Sequence, residues 1–339
     1  MWHAFLKIHQ VLRIPIKGNP LDEGRLDPAG SIISPAFSAR FLGEVVHIGS
    51  LPAHVTPTES RRENCKALIT GVLSSRRCSP ALASSLAGKL LFLCSSFHSR
   101  VGISGIAPLF KREYENAHHL SAELKAGLRW LLQVLEQVGP RQWHCPPGWT
   151  GSWSLFGDAA EPEGVRDPRT CAAILQTPGG TKTQYFSVQV PLSLLGTLRH
   201  RDKQISILEL LWAVLALIVW RRTLQGAFVI LFEDNTAAQY GIRKGMSRHT
   251  DINLFLCCLW GSAALAKTHI WADRVASADN PADCLTKPGL DDSHLQHAED
   301  ISDAIAWHAL FAELESLLAV DRIPSFAEVS TLSRFALPA

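Results

Sequence analysis

Between Ala227 and Gly245 the sequence AFVILFEDNTAAQYGIRKG runs from an apolar strand through Glu233-Asp234-Asn235 straight into a short helix. A strand that feeds directly into a helix belongs in a sheet with helices packed on it, and here it holds Asp234 where a buried strand stops. Turn chemistry accounts for such an aspartate by itself, because Asp and Asn favour strand ends and helix N-caps for backbone reasons. Three more carboxylates, Asp158, Glu209 and Asp283, stand at junctions of a similar kind. Whether the four share one site decides what the chain can do.

The neighbouring patterns supply the rest of a sheet. Trp153 to Ala160 (WSLFGDAA), Thr170 to Gln176 (TCAAILQ) and Gln184 to Val190 (QYFSVQV) read as three successive strands, the first two joined by a polar turn and the second pair by Pro178-Gly179-Gly180. A helix over Ile205 to Arg222 follows, then the strand ending at Glu233, helices over Thr236 to Lys244 and Asp251 to Lys267, a last strand over His269 to Val275 and a helix from Asn280. Three antiparallel strands followed by alternating helix and strand predict an α/β fold, a mixed five-stranded sheet with flanking helices.

Upstream, residues 1–40 show no lasting periodicity and read as irregular. FLGEVVHIGSLPAHV, from Phe41, alternates as strand, turn and strand around Gly49 and Pro52, and helices are predicted over Glu59 to Ser75, from Ser79-Pro80 onward, and over Leu120 to Val138. A Pro- and Gly-rich linker, residues 139–152, separates this 41–138 region from the sheet region, 153–288. The tail, 289–339, carries Ile301, Ile305, Leu310, Leu314 and Leu317 at helical spacing, which predicts a face packed on the core.

Composition bounds the function classes. At 339 residues and 47% hydrophobic, the chain can bury a large core, and a net charge of +2 excludes a histone-like polycation. A local excess of Arg61, Arg62, Lys66, Arg76, Arg77, Lys89, Arg100, Lys111 and Arg112 is either a solvated helical face or a phosphate-binding one. Eight scattered cysteines without a C-x-x-C pair suit a reduced, intracellular setting, cytoplasm or nucleus. His294 and His297 lack partners at zinc-finger spacing and read as surface histidines. The longest fully apolar run, Leu210 to Trp220, is far shorter than the roughly 20 residues that span a bilayer, so no membrane partner is expected.

Each acid has a structural explanation of its own. Asp158 closes a strand before a turn; Glu209 completes a capping box with Ser206, or else buries a carboxylate among apolar neighbours; Asp283 follows Asn280-Pro281 into the first turn of a helix. The predicted sheet, however, sets its first and fourth strands side by side, which brings Asp158 to Asp234. The helix bearing Glu209 crosses beside them and the last strand delivers Asp283 to the same end. Carboxylates gathered without basic partners repel one another unless cations sit between them. Hard oxygen donors suit Mg²⁺ or Mn²⁺.

The ordered contexts DAA at Asp158, ELLWAVLAL at Glu209, EDNTAAQYGIRKG at Asp234 and NPADCLTK at Asp283 resemble the ribonuclease H domain of retroelement polyproteins, over about Trp153 to Pro288. Phe41-Leu42-Gly43 is similar to the F-L-G hairpin that follows the palm of reverse transcriptases, and SSLAGKLLFLCSSF to a helix of their thumb or connection region. No Y-x-D-D occurs, so the polymerase site is missing. The resemblance implies hydrolysis of the RNA strand of an RNA–DNA hybrid with two metal ions, Mg²⁺ or its substitute Mn²⁺, about 4 Å apart. It makes Asp158 and Asp234 central ligands, gives Glu209 one ion and Asp283 the other, and sets Asn235 and Asn280 to orient carboxylates or touch a ribose 2′-hydroxyl. The chain departs from cellular ribonucleases H in lacking their loop histidine, since the loop reads Ala276-Ser277-Ala278-Asp279. Two other readings fit the same residues: a nucleic-acid-binding remnant without catalysis, and a nuclease of this fold with a different substrate.

Overall fold

The computed structural model describes residues 38–41, 44–47, 53–143, 151–161, 169–199, 204–287, 289–318 and 323–338. The turn residues Gly49 and Pro52, the centre of the expected linker and most of the first 40 residues lie outside these.

The first sheet is antiparallel. Strands β1 (Ser38–Phe41), β2 (Glu44–His47) and β3 (Ala53–Pro57) form a meander, and β4 (Arg141–Trp143) closes the other edge of β3. β2 and β3 are the expected pair. β1 falls in the segment read as irregular and β4 in the one read as linker. Neither is long enough to show a period; each exists because a neighbouring strand offers it an edge, Val55 opposite Arg141 in the case of β4.

Four helices follow. α1 (Glu59–Ser75) has the predicted bounds. α2 (Pro80–Cys94) starts as its sequence dictates, with proline in the first turn and the Ser79 hydroxyl accepting from the Leu82 amide at 3.2 Å. α4 (Ala122–Gln137) is capped the same way by Ser121. Between them lies α3 (Ile103–Glu113), which the sequence did not announce because Gly105 and Pro108 interrupt its pattern. The glycine has a packing reason: α3 and α4 cross so tightly that a Cβ on Gly105 would stand 2.6 Å from the Trp130 ring, and one on Gly127 2.6 Å from the Gly105 carbonyl oxygen. The expected basic face does not survive intact. Arg112 is buried beside Glu115, Lys66 and Lys111 pair with Glu63 and Glu123, and Arg61 lies over the Phe92 ring.

The second sheet is mixed and six-stranded, in the order β10-β7-β6-β5-β8-β9. β5 (Trp153–Ala160), β6 (Arg169–Gln176) and β7 (Thr183–Val190) are the antiparallel meander read from the sequence. β8 (Phe228–Glu233) lies parallel to β5, and β9 (His269–Arg274) parallel to β8. The sixth strand, β10 (Glu299–Asp300), extends the β7 edge with two residues from a stretch read as helical.

The remaining helices are α5 (Leu192–Gly196), α6 (Ile205–Val219), α7 (Thr236–Lys244), α8 (Thr250–Ala266), α9 (Asp283–Thr286), α10 (Trp307–Leu318) and α11 (Phe326–Thr331). α6 packs on β5 and β6 with one side and on α8 with another, so every residue from Ile207 to Val219 is buried. A helix enclosed on all sides is apolar on all sides. α8 in turn packs on α3 and α11, with the Ser104 hydroxyl 2.8 Å from the Cys257 sulfur and the Thr250 hydroxyl donating to Glu123 at 3.0 Å. The apolar core is therefore continuous from Cys65 in α1 to Leu332. Tail residues Ile301, Ile305, Leu310, Leu314 and Leu317 are all buried, although helix α10 begins only at Trp307. No helix among the described residues is long and apolar enough to cross a membrane.

Candidate metal centre

β5 and β8 run parallel with Phe156 opposite Phe232, and two residues after each phenylalanine stands an aspartate, Asp158 within β5 and Asp234 one residue past the end of β8. Parallel pairing thus delivers both carboxylates to the same end of the sheet. α6 crosses β5 and lowers Glu209 onto the pair. Ligand oxygens of Asp158, Glu209 and Asp234 all lie within 4.8 Å of one another, the one such group among the described residues. The close approach of α6 depends on Gly157. A Cβ there would fall 2.1 Å from the Trp212 ring, one helical turn beyond Glu209.

Asp158 and Glu209 are 2% and 3% exposed. Burial, then Glu233, Asp158 and Asp234, pushes the Glu209 carboxyl up to about 10. Burial also raises Asp158, to about 6, against the opposing pull of Thr286 and Lys287. One Glu209 oxygen, Oε2, is buried without a hydrogen-bond partner. Three acids converging on one point, two of them raised by burial and mutual repulsion and one with an orphaned oxygen, fit a hard cation. The donor set is all oxygen, which suits Mg²⁺, Mn²⁺ or Ca²⁺ and leaves the identity of the ion open.

The capping box between Ser206 and Glu209 is absent: Gln204 is the N-cap of α6 and no side chain bonds there. Ser206 lies inside the helix, too late to serve as its cap, so Glu209 is a buried carboxylate for reasons other than helix initiation. Asp283 opens α9, which lasts four residues and is capped by Ala282 instead of Asn280. Its Oδ2 meets the Lys287 ammonium at 2.5 Å, and its Oδ1 is buried without a partner. Asp283 stands outside the tight group of three, yet its charge is felt at Asp158.

Both asparagines are structural anchors. Asn235 caps α7, its Oδ1 accepting from the Ala237 and Ala238 amides at 3.0 and 3.1 Å. Asn280 is 5% exposed, donates to the Gly157 carbonyl at 2.9 Å and accepts from the Ala282 amide. It ties the loop that carries Asp283 to the strand that carries Asp158.

Four neighbours of the centre escaped the sequence reading. Glu233 is fully buried, accepts from the Asn235 amide at 3.0 Å, and is held well above the usual carboxylate range by burial. Strand alternation with Val229 and Leu231 marks it as inward-facing, a signal present in the sequence. Thr286 donates a hydrogen bond to Asp158 Oδ2, and Lys287 places its ammonium 3.7 Å from Asp158 Oδ1. The acid-to-base spacing of four from Asp283 to Lys287 was readable as a helix pair. Trp212 gave no signal, because its importance lies in a contact with Gly157. No family model and no curated protein sequence matches the chain.

Proposed function

We propose that this chain is a metal-dependent endoribonuclease of the ribonuclease H type, cleaving the RNA strand of RNA–DNA hybrids. The observation that carries the reading is the convergence of Asp158, Glu209 and Asp234 oxygens at the ends of two adjacent parallel strands. That geometry matches the order of acids on which the sequence resemblance rests.

A divalent ion bound at such a centre acidifies a coordinated water and stabilises charge on the leaving oxygen. Asp158 and Asp234 would hold such a cation from the strand ends, and Glu209 would hold it from the helix. Thr286 fixes the rotamer of Asp158 through its hydroxyl, and Asn280 fixes the loop behind it. Asn235 uses its side-chain oxygen for the capping bonds, which leaves its amide nitrogen as the group that would meet a ribose 2′-hydroxyl.

Incubation of the purified chain with a labelled RNA–DNA hybrid and Mg²⁺ or Mn²⁺ tests the activity. Cleavage confined to the RNA strand and abolished by Asp234→Asn is the expected result. No cleavage, or cleavage unchanged by that substitution, overturns it. Salt-dependent hybrid binding with no hydrolysis selects the binding-remnant reading instead, and preference for single-stranded DNA selects another nuclease of this fold.

A further inference from the structure

The ribonuclease H resemblance implies two divalent ions, the second of them held between Asp158 and Asp283. The structure puts an ammonium between those two carboxylates. Lys287 Nζ lies 2.5 Å from Asp283 Oδ2 and 3.7 Å from Asp158 Oδ1. This placement is built in twice. α9 carries Asp283 at its start and Lys287 follows its last residue as the C-cap, four positions after the aspartate, so the acid and the base meet across the single turn. Thr286, the residue before the lysine, is bonded to Asp158 as well as to the Asp283 carbonyl, which pins the end of the helix against β5.

Proximity points the same way. A second divalent ion between Asp158 and Asp283 would sit against the Lys287 ammonium at contact distance. The orphaned Oε2 belongs to buried Glu209, one of the three acids whose oxygens lie together and would take the first ion.

We infer that Lys287 substitutes for the second metal ion, so that the centre holds one divalent cation beside a protein ammonium. The inference rests on the reading of Asp158, Glu209 and Asp234 as a cation site. Lys287 would serve as a fixed positive charge toward the phosphate. Its side chain is 43% exposed, open to a ligand arriving from solvent.

Counting bound Mn²⁺ on the full chain at neutral pH, by the loss of the free-ion electron paramagnetic resonance signal and by calorimetry, tests this without reference to activity. The wild type is expected to bind one Mn²⁺. Lys287→Met should bind two, the second at least tenfold more tightly than any second ion on the wild type, with dipolar broadening from the ion pair. Lys287→Arg, which keeps the charge, should return to one. Lys287→Gln provides a second neutral variant should Lys287→Met fail to fold. Two ions of similar affinity on the wild type, or one ion on both neutral variants, overturn the substitution while leaving the three-carboxylate site standing. If the wild type binds no Mn²⁺, or if Asp234→Asn leaves binding unchanged, the cation-site reading itself falls and the inference with it.

Discussion

Trp212 and Gly157 are in such close contact that the strand has no room for a Cβ, which would stand 2.1 Å from the indole ring. The contact sets the height of α6 above β5, and so the distance of Glu209 from Asp158. Gly157→Ala is expected to destabilise the chain by about 3 kcal/mol, since the ring is fully buried and has nowhere to retreat. Guanidinium unfolding of the two proteins measures this. Mn²⁺ affinity should fall in parallel, because a raised helix lifts one ligand away from the other two.

The acids should differ in importance. Asp158, Glu209 and Asp234 form the close group, whereas Asp283 reaches the site through Lys287. Asp283→Asn is therefore expected to lower metal affinity and hybrid cleavage by roughly 10- to 100-fold, the range for groups behind the ligands. Asp158→Asn, Glu209→Gln and Asp234→Asn should each cost more than that. Equal losses across all four would place Asp283 directly on the ion.

The pH dependence follows from the raised carboxyls. A carboxyl whose pKa is higher in the folded chain contributes stability below its unfolded value, and that stability is lost as pH rises through the folded value. For Asp158 the window runs from 3.8 to about 6, and for Glu209 from 4.5 to about 10. The metal-free melting temperature should decline from pH 4 upward. Divalent ions compete with the same protons, so their stabilising effect should widen across that range. Thermal melts from pH 4 to 9 with and without Mg²⁺ check both trends, and Glu209→Gln should flatten the metal-free slope above pH 6.

Asn280 is buried and bonded at both ends of its amide. Asn280→Ala leaves the Gly157 carbonyl without its donor and should cost about 1–3 kcal/mol. Urea unfolding measures the loss. Because the same bond holds the Asp283 loop against β5, the substitution should also weaken the Lys287 contact, seen as a larger loss of cleavage than of stability alone would give.

Much of this architecture was legible in the sequence where a period or a cap could run its course. β5 spans the predicted residues, α1 and α7 keep their predicted bounds, and the adjacency of β5 and β8 followed from the order of strands and helices. β4 and β10, with three and two residues, have no period to read and are created by the edges they join. α3 was hidden because its glycine serves a helix crossing and its proline interrupts the pattern. In the site, the three converging acids were visible as residue types at junctions. Lys287 was not singled out, since a lysine four residues after an aspartate reads as a surface pair until Asp158 is placed beside it.

Helix α8 is the wall shared by the sheet region and the upstream helices: it packs on α6 and on α3, and every residue from Asn253 to Ala263 is buried. Neither half has a surface of its own at that boundary. A segment trimmed to residues 153–288, which carry the acids, would present a bare hydrophobic helix to water, so the unit that folds is larger than the unit that holds the site.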